Sequence, residues 1–340
     1  MTVPDPSASE SSPASTTSPD AETSSAQDPR PGGEPRIECI PNFSEGRDLA
    51  VLDRIAEAIA SAEGVMLLDR THDVDHNRSV FTFVGDPGGI EGALTKAAAV
   101  AVEAIDLRRH TGVHPRIGAI DVIPFVPLDG STRQECVALA DRVAGVLWQR
   151  FAVPSYFYGE AARSDDRRRL ENIRRGGFEA LIEALPGDAA RRPDTGGPRL
   201  HPSAGATAIG VRKFLIAFNI NLATADVSIA KQIAKTIRES SGGLPAVKAL
   251  GLALPSRGLA QVSMNLTDFE RTSLYEVFGC VKHEAERLGT HVAGSEIIGL
   301  VPQRAIEIAA ERFLMIENFD PGTVLENRLK QAAKKSEPRA

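Results

Sequence analysis

Four of the seven histidines fall in two close pairs. The first pair sits in Thr71-His72-Asp73-Val74-Asp75-His76-Asn77-Arg78. Imidazoles and carboxylates crowded in this way suit a divalent metal ion, and they equally suit a polar loop whose side chains cap turns. The second pair sits in His110-Thr111-Gly112-Val113-His114-Pro115-Arg116. A His-x-x-x-His spacing places two ligands on one helix face. Here Gly112 is a poor helix former and Pro115 disfavours the helical region at His114, so the segment reads as a tight loop entering a strand. At a strand end, His114 and Arg116 project an imidazole and a guanidinium to the same side of extended backbone. That pairing suits a general base beside an anion anchor. His110 reads instead as a cap on the C-terminus of the preceding helix.

Two further stretches carry chemical potential. The connection from Asp194 to Gly205 is long and Gly-rich, which permits close backbone approach to a flat ligand. Arg163, Arg167, Arg168, Arg169, Arg174 and Arg175 either bind a polyanion or line a helix surface paired with Asp165, Asp166 and Glu171. Phosphate-loop, dinucleotide-binding and nucleophile-elbow motifs are missing, which disfavours nucleotide hydrolysis, dinucleotide redox chemistry and serine hydrolysis. Cys39, Cys136 and Cys280 are far apart and form no C-x-x-C pair; they read as buried apolar residues in a reducing compartment.

The elements that position these residues emerge from hydrophobic periodicity. Residues 1–36 hold seven of the 22 prolines and no Leu, Ile or aromatic residue, so they read as a disordered leader without a targeting pattern. Four of the six net negative charges sit there. The near-neutral remainder argues against nucleic-acid or membrane-surface binding, and no apolar run is long enough to cross a bilayer. From residue 37 the pattern predicts a strand over 37–40, a turn over 41–46, a helix over 49–59, strands over 65–68 and 79–84, a helix over 90–107 and a strand over 117–125. A helix capped by Ser131 and Gln134, a strand over 155–158 and an Arg-rich helix to Leu185 follow. The second half repeats the rhythm, with strands over 213–222, 247–254, 260–266 and 295–301 and helices over 227–237 and 274–288. The fold class is therefore α/β (α+β): two related β-α-β-β-α-β ferredoxin-like units, each with helices on one face of a sheet. They divide as 37–211 and 212–331, joined near 205–212, with a disordered tail over 332–340. The cleft between them is the natural place for a site.

The phrases IECIPNFSEGRD, DHNRSVFTFVGDP, HTGVHPRIGAIDVIPFVPL, PSYFYGEAAR, GATAIGVRKFLIAFNINL, AQVSMNLTDF and SEIIGLVP occur in this order. Through them the chain from Ile37 to about Ala309 resembles the glutamate formimidoyltransferase family, the transferase part of formimidoyltransferase-cyclodeaminase. The resemblance implies transfer of a formimidoyl group between N-formimidoyl-L-glutamate and tetrahydrofolate in histidine degradation. It implies His114 as catalytic acid/base, a cytoplasmic homodimer, and tetrahydrofolate, possibly polyglutamylated, as co-substrate with no tightly bound cofactor or metal. It also implies a folate-binding segment over Gly196, Gly197, Pro198, Arg199, Leu200, His201, Pro202, Ser203, Ala204 and Gly205, and leaves deamination of the product to another protein. Both substrates carry carboxylates, so Arg116, Arg78 and Arg212 are expected to anchor them, with Asn42 and Asn77 as hydrogen-bonding partners of the pterin or the formimidoyl nitrogen. The rivals are formyl transfer to or from glutamate, a metal-dependent hydrolase using His72, His76, His110 or His114 with Asp73, Asp75 or Asp121, and a folate-binding protein without turnover.

Overall fold

The computed structural model describes residues 36–128 and 130–329. The leader and tail readings fall largely outside those residues. Chain entry is the short strand β1 (Ile37–Cys39), broken at Ile40-Pro41 and resumed as β2 (Asn42–Phe43). Pro41 has no N–H for the ladder, which makes it a natural break. Helix α1 (Leu49–Ala60) is capped by Asp48 and buries Leu52, Ile55 and Ile59 at helical spacing. Strands β3 (Val65–Asp73) and β4 (Arg78–Gly85) pair antiparallel, so the first histidine cluster occupies the end of a strand and a four-residue turn. Helix α2 (Pro87–Ala104), strand β5 (Ile120–Pro127), helix α3 (Arg133–Phe151) and strand β6 (Ser155–Gly159) follow. The cap of α3 differs from expectation: Thr132 and Glu135 form the reciprocal capping box, one residue later than Ser131 and Gln134. Ser131 is fully buried one residue before the cap.

The expected Arg-rich helix is broken into a 3-10 turn (Asp165–Arg168) and two short helices, α4 (Leu170–Ile173) and α5 (Gly177–Ala184). Gly176 and Gly177 both lie at positive φ, 81° and 71°, which no continuous helix allows. The largest departure is strand β7 (Thr207–Val211), which lies where the halves were expected to join. Its five residues are all buried, and it inserts parallel between β5 and β6. A near-continuous apolar run suits such a strand, covered on both faces. The segment 196–205 therefore lies within the first half.

The second half is β8 (Ile216–Leu222), α6 (Val227–Ile237), β9 (Val247–Leu254), β10 (Leu259–Leu266), α7 (Leu274–Arg287), β11 (Val292–Ile298) and α8 (Gln303–Leu314). Its sheet order is β11-β8-β10-β9. In the first sheet β5 pairs with β1 and β2, which pair with β4, which pairs with β3. Counting β1 and β2 as one interrupted strand, both sheets share the order fourth-first-third-second, and β7 and β6 extend the first. Phe43, Phe81, Phe83 and Phe125 pack against α1–α3 in the first core, while Ile173 of α4 and Leu181 of α5 join a separate cluster with Val122, Tyr156 and Ala208. The second core joins Ile216, Phe218, Ile220 and Leu222 to α6 and α7. No helix among the described residues is long and apolar enough to cross a membrane.

Candidate active site

A carboxylate in the middle of an apolar strand organises this region. Asp121 of β5 is fully buried and accepts three hydrogen bonds: from the Ile117 N–H (2.8 Å), from Arg78 Nη1 (2.6 Å) and from Arg174 Nη2. Burial alone raises a carboxyl's pKa; here Arg174 and Arg78 outweigh it and hold Asp121 down at about 2. Arg78, at the start of β4, is brought down to about 10 by its own burial and stays protonated at neutral pH. Its other N–H groups reach Asn42 Oδ1 at 2.8 and 3.2 Å. Two guanidiniums share one carboxylate, so the cluster carries one uncancelled positive charge. Arg174 Nε is moreover buried with no partner among the described residues.

His114 is half-buried beside this cluster. Its Nδ1 lies 2.8 Å from the Pro115 carbonyl. A carbonyl only accepts, so Nδ1 carries the proton and Nε2 keeps its lone pair. Burial, with Arg78 and Arg174 adding to it, holds the imidazole well below its usual pKa, so it is a neutral base at neutral pH. His76 is the nearest aromatic neighbour, with ring centroids 5.9 Å apart.

The loop bearing His114 is fixed by its surroundings. His110 Nε2 donates to the Asn77 carbonyl (2.9 Å) and Nδ1 accepts from Arg116 Nε (2.8 Å), so His110 bridges two loops and does not cap α2, which ends at Ala104. Asn77, buried at φ 48°, donates to the Thr111 carbonyl (2.9 Å) and accepts from the Gly46 N–H (3.0 Å). A Cβ on Gly112 would lie 2.4 Å from the His76 carbonyl oxygen. Gly112→Ala is therefore expected to force the loops apart and destabilise the protein by about 1–3 kcal/mol. Urea denaturation checks this, and an unchanged midpoint would show that the loops tolerate separation.

The geometry redistributes the expected roles. Arg78 stands at the centre beside His114. Arg116 does not serve as a free anchor: its guanidinium holds Glu179 (2.8 and 3.1 Å), His110 Nδ1 and the carbonyls of His110 and Leu107. Asn42 donates to the Ile40 carbonyl (2.8 Å) and accepts from Arg78, so it and Asn77 are braces whose carboxamides are engaged at both ends. Arg212, directly after β7, acts electrostatically on Glu38 and Tyr158, and its Nη1 donates to the Lys213 carbonyl (2.9 Å). His72 is exposed on β3. Among the described residues no three His, Cys, Asp or Glu side chains gather as a metal ion requires, which is what the hydrolase reading needed.

The segment 196–205 is stitched to the strand entry that follows His114. Gly196, at φ 102°, packs against Trp148 and Pro154, and Gly197 against Trp148. His201 and Gly205 exchange backbone hydrogen bonds at 2.9 Å, and His201 Nδ1 accepts from the Ala204 N–H at 2.9 Å. Ser203 and Ala204 carbonyls accept from Leu107 and Ala119, and Ala206 donates to the Ile117 carbonyl. Pro198, Arg199 and Pro202 are exposed, and Leu200 is half-buried against the core. Of the arginine run, Arg163 pairs with Asp141 and Arg167 with Asp194, each at 2.6 Å, while Arg174 turns inward.

Three imidazoles are held below their ordinary pKa, mainly by burial: His110, His114 and His201. Below about pH 6.5 the unfolded chain gains protons that the folded chain refuses, so stability falls as pH drops through the window beneath that value; above it these groups are neutral in both states. Glu38, raised by burial, works the other way at lower pH. The urea midpoint is expected to drop between pH 7 and pH 5. A constant midpoint over that range would contradict the assignment.

A neutral imidazole with a directed lone pair beside a buried cluster with excess positive charge is an arrangement able to move a proton next to a bound anion. The formiminotransferase domain, N-terminal subdomain, matches residues 36–212, and the formiminotransferase domain matches residues 217–332. Glutamate formimidoyltransferase of Streptococcus pyogenes serotype M1 is 46% identical over 294 residues, covering 86% of this chain and 98% of that protein. The glutamate formimidoyltransferase of Thermoplasma acidophilum is 44% identical over 299 residues, 87% and 98% of the two chains. Formimidoyltransferase-cyclodeaminase of Sus scrofa is 46% identical over 290 residues, 83% of this chain and 53% of that one. The chain belongs to the formiminotransferase family.

Proposed function

We propose that this protein is a glutamate formimidoyltransferase, moving the formimidoyl group from N-formimidoyl-L-glutamate to tetrahydrofolate in histidine degradation. The observation that carries the reading is His114, with Nδ1 tied to a carbonyl and Nε2 open beside Arg78, Asp121 and Arg174. In the reaction the folate nitrogen attacks the formimidoyl carbon, a new N–C bond forms, and the bond from that carbon to the glutamate nitrogen breaks. The attacking nitrogen gives its proton to His114 Nε2, and the departing nitrogen takes one back. The uncancelled charge and the unpartnered Arg174 Nε suit a substrate carboxylate, held in the orientation that brings the carbon to the imidazole. The ordered segment 196–205, joined by hydrogen bonds to the residues following His114, is the folate-binding wall. Folate is a substrate, and these steps use no tightly bound cofactor or metal. A cytoplasmic homodimer completes the proposal.

Turnover is the test. Purified protein given tetrahydrofolate and N-formimidoyl-L-glutamate should yield 5-formimidoyltetrahydrofolate, with N-formyl-L-glutamate as the competing donor. Product from the formyl donor alone, or from neither, would overturn the assignment.

A further inference from the structure

N-formimidoyl-L-glutamate carries two carboxylates joined by a three-carbon chain, and the Arg78–Arg174 pair accounts for one of them. Beside that pair stands a second group of donors. Tyr158 of β6 lies directly across from Gly210 of β7, and Arg212 follows two residues later, on the same side of extended backbone. The Arg212 N–H donates to the Phe125 carbonyl at 3.1 Å, which roots its backbone against β5. A Cβ on Gly210 would lie 2.4 Å from the Tyr158 ring, so the missing side chain is what lets the ring lie down on β7. Val122, Ala208 and Ile173 share a buried cluster with that ring, which fixes its place. Burial raises the Tyr158 pKa, with Arg212 and Arg174 pulling against it, so the phenol keeps its proton at neutral pH and can donate.

We propose that Tyr158 and Arg212 form a second carboxylate site, which takes the side-chain carboxylate of the glutamate substrate while the Arg78–Arg174 pair holds the other. The inference rests on the transferase reading above. Arg212 is half-buried, its Nη1 donates to the Lys213 carbonyl at 2.9 Å, and among the described residues no carboxylate pairs with it. Glu38, the acid that feels its charge, leaves its buried Oε2 without a hydrogen bond. Even with Glu38 counted, the three guanidiniums of Arg78, Arg174 and Arg212 outnumber the two carboxylates of Asp121 and Glu38. A guanidinium fork without a counter-charge, next to a phenol O–H, matches the acceptor geometry of a carboxylate. Tyr158 links the two sites: it acts on Arg78 and is itself acted on by Arg174 and Arg212. A substrate bridging them would be read for both of its charges, which makes Tyr158 and Arg212 specificity-determining for the side chain of the amino acid.

The experiment compares wild type, Arg212→Gln and Tyr158→Phe with two donors, N-formimidoyl-L-glutamate and N-formimidoyl-L-glutamine. The second donor keeps the skeleton and exchanges the side-chain carboxylate for an amide. Wild type is expected to prefer the glutamate donor by at least about 10-fold in kcat/KM. Arg212→Gln should lower kcat/KM for the glutamate donor about 10–10²-fold, chiefly through KM, with a clearly smaller loss for the glutamine donor, so that the preference collapses. Tyr158→Phe removes only the hydroxyl and keeps the packed ring; it should act in the same direction by about 3–10-fold, and it reports on the site even where Arg212→Gln disturbs folding. The KM for tetrahydrofolate should stay within about twofold in both. Equal losses on the two donors, an unchanged preference, or a rise in the tetrahydrofolate KM instead overturns the proposal. Absence of turnover by wild type with either donor would overturn the transferase reading and the second site with it.

Discussion

Replacing Asp121 with alanine is expected to lower the unfolding free energy by about 3–5 kcal/mol. Its carboxylate is fully buried, and Arg78 and Arg174 are close to buried, with side chains 10% and 13% exposed. Removing the anion leaves two guanidiniums facing each other without compensation and strips the buried Ile117 N–H, just before β5, of its acceptor. Neither arginine can simply swing into solvent: Arg78 is tied to Asn42, and Arg174 ends a short helix whose Ile173 is part of a core cluster. Adding Arg174→Met to the alanine variant should recover part of the loss, since only one unpaired charge then remains. Urea denaturation of the single and double variants checks both statements. A loss below about 1 kcal/mol for the single change would show that the cation pair reaches water.

Replacing His114 with alanine is expected to lower kcat about 10²–10⁴-fold with little change in stability. The side chain is half-buried and makes one hydrogen bond, to its neighbour's carbonyl, so little packing depends on it. The depressed imidazole pKa also means that wild-type activity should persist as pH falls through 6.5 and decline only below it. Single-turnover rates across pH separate this from binding effects. An alanine variant with undiminished turnover would move the base elsewhere.

The sequence made some of this site visible and hid the rest for identifiable reasons. His114 stood out because Gly112 and Pro115 excluded a helix and fixed it in a loop before a strand. Parts of the second half were readable to the residue: the helix expected over 227–237 and the strand over 247–254 have those bounds, while the strands expected over 213–222 and 295–301 run over Ile216–Leu222 and Val292–Ile298. Strand β7 was hidden because Thr207–Val211 follows a Gly-rich loop and its partners, β5 and β6, are distant in sequence; parallel pairing leaves no local signature. Arg174 was hidden inside a run of arginines that resembled a solvated helix. The Gly176-Gly177 pair directly after it was the available signal, because a helix stopped there can turn its last arginine inward. Asp121 was also recoverable, since a lone carboxylate in the apolar strand IDVIPFVP must bring partners with it. Arg116, Asn42 and Asn77 show the opposite lesson. Their types suited ligands, but the loops they bridge use their hydrogen-bonding capacity.

The shared strand order of the two sheets has an effect on self-association. The outer edge of β5 is closed by β7, whereas β11, its counterpart, ends the second sheet. An open edge is a template on which a foreign strand can add, and from there aggregates can grow. The register of β11 slips between Val292 and Gly294, a bulge that interrupts the regular row of backbone groups at the start of this edge. Such an irregularity is one of the devices that blunt an open edge, placed here where the second sheet lacks the strands that shield the first.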